Sequence, residues 1–89
     1  MNGLKKTYTA NGSDTFDHNG QAGVIAVAVA SGSGTITLSH NIGGVDVTID
    51  SFAASGGAQF VSPKGELKVT ASGISSATIH VEVQPLATV

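Results

Sequence analysis

Apolar and polar residues alternate with a period of two along most of this 89-residue chain, the period of β-strands whose successive side chains point to opposite faces. In GVIAVAVA, residues 23–30, Ile25, Val27 and Val29 share one face, while Ala26, Ala28 and Ala30 share the other. In GTITLSH, Ile36 and Leu38 alternate with Thr35, Thr37 and Ser39; in GVDVTID, Val45, Val47 and Ile49 alternate with Asp46, Thr48 and Asp50. Leu67, Val69 and Ala71 then alternate with Glu66, Lys68 and Thr70. Ile79, Val81 and Val83 alternate with His80, Glu82 and Gln84, and Pro85 ends that run. These are half-buried antiparallel strands. Weaker strands are expected at 6–9, 14–18 and 58–62, anchored by Tyr8, Phe16 and Phe60.

Between the runs lie NG, HNGQAG, SGSG, HNIGG, ASGG, SPKG and SGISS, at the spacing of roughly 8–12 residues typical of sandwiches and small barrels. Gly and Asn suit such connections because hairpin turns need positive φ. No stretch of about ten residues supports a helix. The pattern predicts an all-β fold, an antiparallel β-sandwich or jelly-roll-like domain of about seven to eight short strands. Residues 1–10 are expected as an amino-terminal arm or edge strand, 11–86 as the sandwich, and 87–89 as a tail.

The run at 23–30 is the most apolar in the chain, yet it is less than half the ~20 residues that a membrane-spanning helix needs. Its β-branched residues and flanking glycines also oppose a helix. It is expected as a central strand, with Ile25, Val27 and Val29 entering the core. Ala26, Ala28 and Ala30 then leave room for close approach by a second internal layer or by another subunit.

Composition narrows the function classes. One domain is expected, with an apolar content of 40% that consists mostly of Val, Ile and Ala. Each buried Val or Ile contributes roughly 1.5–3 kcal/mol against about 1–2 kcal/mol of backbone ordering per residue, so association with copies or another surface would add to a thin margin. Cysteine is absent, which excludes disulfides and thiolate zinc sites. The net charge of −2, with four Lys and no Arg, leaves no basic patch for phosphates, so nucleic acid is not an expected partner. MNGLKKTYTANGSD is not followed by the apolar region of a secretory signal, so synthesis and retention in a cytoplasm are expected, with no membrane partner.

Candidate chemistry is sparse. No GxSxG elbow supports a Ser-His-Asp arrangement. His18, His40 and His80 have no HxH or HxxxH spacing; they are expected as exposed or turn histidines bonding locally, and the sharper alternative is a histidine ring about a symmetry axis. Asn11, Ser13, Asp14 and Asp17 in NGSDTFD offer oxygen ligands of the kind Ca²⁺ takes, without the full calcium-loop pattern. Turn chemistry accounts for these residues equally well. Asn2-Gly3, Asn11-Gly12 and Asn19-Gly20 are turn dipeptides first, with an Asn–Lys crosslink to Lys5, Lys6, Lys64 or Lys68 as the remote alternative. GSG and GG have no following helix to complete a phosphate cradle. No catalytic, cofactor-binding or metal residue is therefore assigned, and an enzyme is not expected.

From residue 14 to residue 84, DTFDHNGQAGVIAVAVASGSGTITLSH followed by DSFAASGGAQFVSPKGELKVTASGISSATIHVEV resembles small β-sandwich virion proteins of tailed bacteriophages. Gly34, Thr35, Ile36, Thr37 and Leu38 carry the match, as do Pro63, Lys64, Gly65, Glu66, Leu67, Lys68 and Val69. The resemblance implies a virion structural protein, most of all a capsid decoration (cement) protein that stabilises the head shell across capsomer boundaries. It implies the major capsid protein or other virion proteins as partners, a homo-oligomer with a trimer favoured, and location in the virion. Alternatives are a neck, tail or head-fibre component, or a host-surface carbohydrate-binding module. Contacts to a neighbour are expected from the amino-terminal arm and from PLATV as an added edge strand, while the loops HNIGG and ASGG are candidates for the outer tip or the shell-facing side.

Overall fold

The computed structural model describes residues 3–18 and 22–85, and the described residues contain no helix. There are six strands: β1 (Leu4–Tyr8), β2 (Gly12–His18), β3 (Ala22–Ile42), β4 (Val45–Phe52), β5 (Gly56–Val61) and β6 (Gly65–Pro85). Every pairing is antiparallel. The all-β class and the antiparallel sandwich follow the alternation in the sequence.

The strand count differs because β3 and β6 are each 21 residues long and run through SGSG and SGISS without breaking. They pair with each other from Gly23 opposite Pro85 to His40 opposite Leu67. Register slips between Val29 and Ser31, between Ser31 and Ser33, and again between Ser33 and Thr35. Each slip inserts unpaired backbone, which bends a strand and increases its twist. The long pair therefore turns a corner and serves two layers. In one, residues 22–29 and 79–83 are flanked by β5 and β1; in the other, residues 35–40 and 65–71 are flanked by β4 and β2. Counted by layer, the six strands supply eight short segments. The SGSG and SGISS segments are corners within strands, where the sequence pattern reads as connections between them.

Glycine is required at the corner. Gly32 has φ +71°, and a Cβ there would lie 2.4 Å from the Ser76 carbonyl oxygen and 2.6 Å from Ala77 Cα. Directly across it, Ser76 adopts φ 47°, uncommon for a residue with a Cβ.

The core lies between the layers. Ile25 opposes Val83 and Val27 opposes Val81 in one layer, while Leu38 opposes Val69 in the other, and all are buried. Phe16 and His40 flank Leu67 from either side. Phe60 lies over Gly23, whose Cβ would meet the ring at 2.5 Å. Val29, next to the corner, is only partly buried.

Residues 4–8 are an edge strand paired to residues 79–83, which leaves that part of the expected arm seated on its own domain. The turns at Asn2-Gly3 and Asn19-Gly20, the PLATV segment and the tail 87–89 lie wholly or partly outside the described residues.

Candidate functional site

Outward-facing residues of the first layer form a surface with a defined floor. Cross-strand register sets Lys5, Glu82, Ala26 and Gly57 in one row, and Thr7, His80 and Ala28 in the next. Gln84, Val24 and Gln59 form a third row. Because Ala and Gly follow long polar side chains across the sheet, the surface sinks into a shallow groove of ≈ 210 Å³ lined by Lys5, Thr7, Ala26, Ala28, His80 and Glu82. Ala26 and Ala28 are exposed. No internal layer covers them, which sets aside a second internal layer as the reason for the small-residue face.

The polar groups around this groove hydrogen-bond to one another. Thr7 Oγ1 and His80 Nδ1 are 2.9 Å apart, and the Gln84 amide donates to the Glu82 carboxylate. Ser55 Oγ accepts from the backbone N–H of Val29 at 2.8 Å. His80 is exposed, as its alternation predicts. His18 and His40 are not: both are buried, a correction of their expected place on the surface. His18 lies on the same face of β2 as Phe16, and its ring meets Phe60 at a centroid distance of 5.3 Å. His40 continues the inward face of Ile36 and Leu38, and its Nδ1 is buried without a hydrogen-bond partner. The signal was in the alternation, since each histidine shares the parity of the core residues before it. Buried in this way, neither can contribute to a ring of histidines about an axis.

The oxygen ligands of NGSDTFD do not converge. Asp14 opposes Val69 and faces inward, whereas Ser13 and Asp17 oppose Thr70 and Glu66 and face outward. Asn11 Oδ1 accepts from the Ile74 backbone N–H at 2.9 Å. Among the described residues no cluster of three or more His, Cys, Asp or Glu has the spacing of a metal site.

Asp14 instead closes one side of the sandwich. It accepts a 2.8 Å hydrogen bond from the Tyr8 hydroxyl and lies 3.7 Å from Lys6 Nζ. This joins the edge strands of the two layers, β1 and β2, with inward-pointing charge. Burial, reinforced by the neighbouring Asp14 carboxylate, holds the Tyr8 phenol well above its ordinary pKa. A folded pKa above the unfolded one means that stability is complete below about pH 10 and falls as pH rises further. Tyr8→Phe is expected to cost about 1–2 kcal/mol at neutral pH and to flatten the alkaline decline. Urea melts from about pH 8 to pH 11, with absorbance of the sole tyrosine as the titration signal, check both.

On the other layer Asp46 meets Lys68 Nζ at 2.7 Å and accepts from Asn41 at 3.0 Å. Those two partners hold its carboxyl below the ordinary value.

No known protein family, curated protein or solved structure matches this chain. Among the described residues, no helix is long and apolar enough to cross a membrane.

Proposed function

We propose that this domain is a structural protein of a phage particle, in the first place a decoration protein that binds the head shell across capsomer boundaries. The observation that carries the proposal is the exposed Ala26–Ala28 surface with Gly57 beside it. A floor of small side chains on a rigid sheet admits close contact with a second backbone, and close packing is what a cementing interface needs. The resemblance over residues 14–84 supplies the kind of partner. Long polar side chains at the rim, Lys5, His80 and Glu82, would fix orientation.

A carbohydrate-binding module draws no support from the aromatic residues. Tyr8, Phe16 and Phe60 are buried and Phe52 is partly buried, so no exposed ring is available to stack on a sugar.

Imaging of particles assembled with and without the protein tests the proposal. Density lost at positions repeated over the whole shell supports decoration, density lost at one vertex supports a neck or tail component, and unchanged particles reject both. Ala28→Arg is expected to abolish shell binding while shifting stability by no more than about 0.5 kcal/mol. Co-sedimentation with shells and a thermal melt read the two effects separately. Retained binding would remove the alanine surface from the interface.

A further inference from the structure

The sandwich has four edge strands, and three of them carry charge. β1 has Lys5 and Lys6, β2 has Asp14 and Asp17, and β4 has Asp46 and Asp50. Charged side chains on an edge oppose pairing with another chain. β5, GGAQFV, carries none and, among the described residues, is paired on one side only, to β3. Its last residue, Val61, is 79% exposed.

Exposed apolar residues gather on the same side of the molecule. β5 and β4 are the strands that flank β3 in the two layers, and every large exposed hydrophobic among the described residues is on β4, on β5 or at the end of β3 that leads into β4: Ile42, Val45, Val47 and Val61. Val61 follows Phe60, whose ring meets His18, and His18 is paired to Gly65. A Cβ on Gly65 would lie 3.3 Å from His40 Nε2, and Ile42 is two residues beyond His40. Val61 and the Ile42–Val45 pair thus belong to one end of that side.

We propose that β5 pairs with β5 of a second copy of this chain, antiparallel and about a two-fold axis, making one continuous sheet of the two first layers. A two-fold normal to the sheet requires opposed residues to share a face, because cross-strand partners point the same way. The register centred on Gln59 meets that condition. It sets Gly57 against Val61 and Ala58 against Phe60, each twice, with Gln59 against itself. Small faces large at the pairs on either side of Gln59, no like charges meet, and the two Gln59 amides can each donate to and accept from the other. Self-pairing of β1 in the same manner would instead bring lysines together. The apolar residues of β4, on the layer behind, extend the contact beyond the strand pair. The pairing goes beyond the decoration proposal and does not rest on it. It is a two-fold alternative to the trimer expected from the resemblance.

Sedimentation equilibrium of the full chain provides the test. The expected species has twice the 8.8 kDa chain mass. Gln59→Lys, which places two ammonium groups together on the axis, shifts the protein to monomer with an unchanged far-ultraviolet spectrum, and Val61→Lys, at a side chain already in solvent, does the same. Ser13→Lys, at an exposed position of another edge strand, β2, leaves the dimer intact. A monomer at all concentrations, a trimer, or a dimer that survives both β5 substitutions overturns the proposal.

Discussion

Gly32→Ala is expected to destabilise the domain by about 2–5 kcal/mol, from the left-handed backbone penalty combined with overpacking against a neighbouring strand. The atoms in the way are backbone atoms of Ser75, Ser76 and Ala77, and these cannot rotate aside as a side chain would. Relief requires β3 and β6 to separate at the corner that both layers depend on. Gly73→Ala is the matched control: its φ is +61°, but a Cβ there has nothing within 4 Å, so only the conformational cost of about 1–2 kcal/mol applies. Urea denaturation of the two variants separates the contact from the dihedral. Equal losses would mean that the close approach at the corner contributes nothing.

Leu67→Ala is the second substitution with a large expected effect, a loss of about 2–5 kcal/mol. Leu67 is fully buried and is opposed by Phe16 on one side and His40 on the other, so truncation opens a cavity between two rings held on paired strands. For a small domain, whose total stability is typically about 5–15 kcal/mol, the change takes a large part of the margin. Expected is a clear fall in the urea midpoint with little change in slope. A loss below about 1 kcal/mol would show that the second layer repacks freely.

The alternation of residues made the strands and their faces legible. Ile25 and Val27 are buried and Ala26 and Ala28 exposed, as the period of two requires. The corner was not legible, because Gly adopts positive φ in a hairpin turn and in a bulge alike. Only the partner strand decides between them, and SGSG meets SGISS across a distance in sequence that no local pattern reports. The grouping of Asp14 and Asp17 in NGSDTFD is undone by that same alternation: they are near neighbours in sequence, yet strand parity sends them to opposite faces. Inward-facing His18 and His40 show the converse, residues of polar type whose parity placed them with Phe16 and Leu38. The groove was half legible, since the alanine face was visible in one strand but its walls, Lys5, Thr7, His80 and Glu82, come from strands distant in the chain.

The pairing of β3 with β6 also sets an order of events at synthesis. His40 and Leu67 are the partners nearest in sequence, and Gly23 and Pro85 the farthest. Pairing from the His40–Leu67 end closes the shortest loop, and residues 22–29, although made early, have no β6 partner until residues 79–85 are made. The most apolar segment, residues 24–30, is uncharged, free of proline and rich in β-branched residues, a composition prone to pair with other chains while it is uncovered, and β5, made before the far end of β6, is the first strand that can cover it.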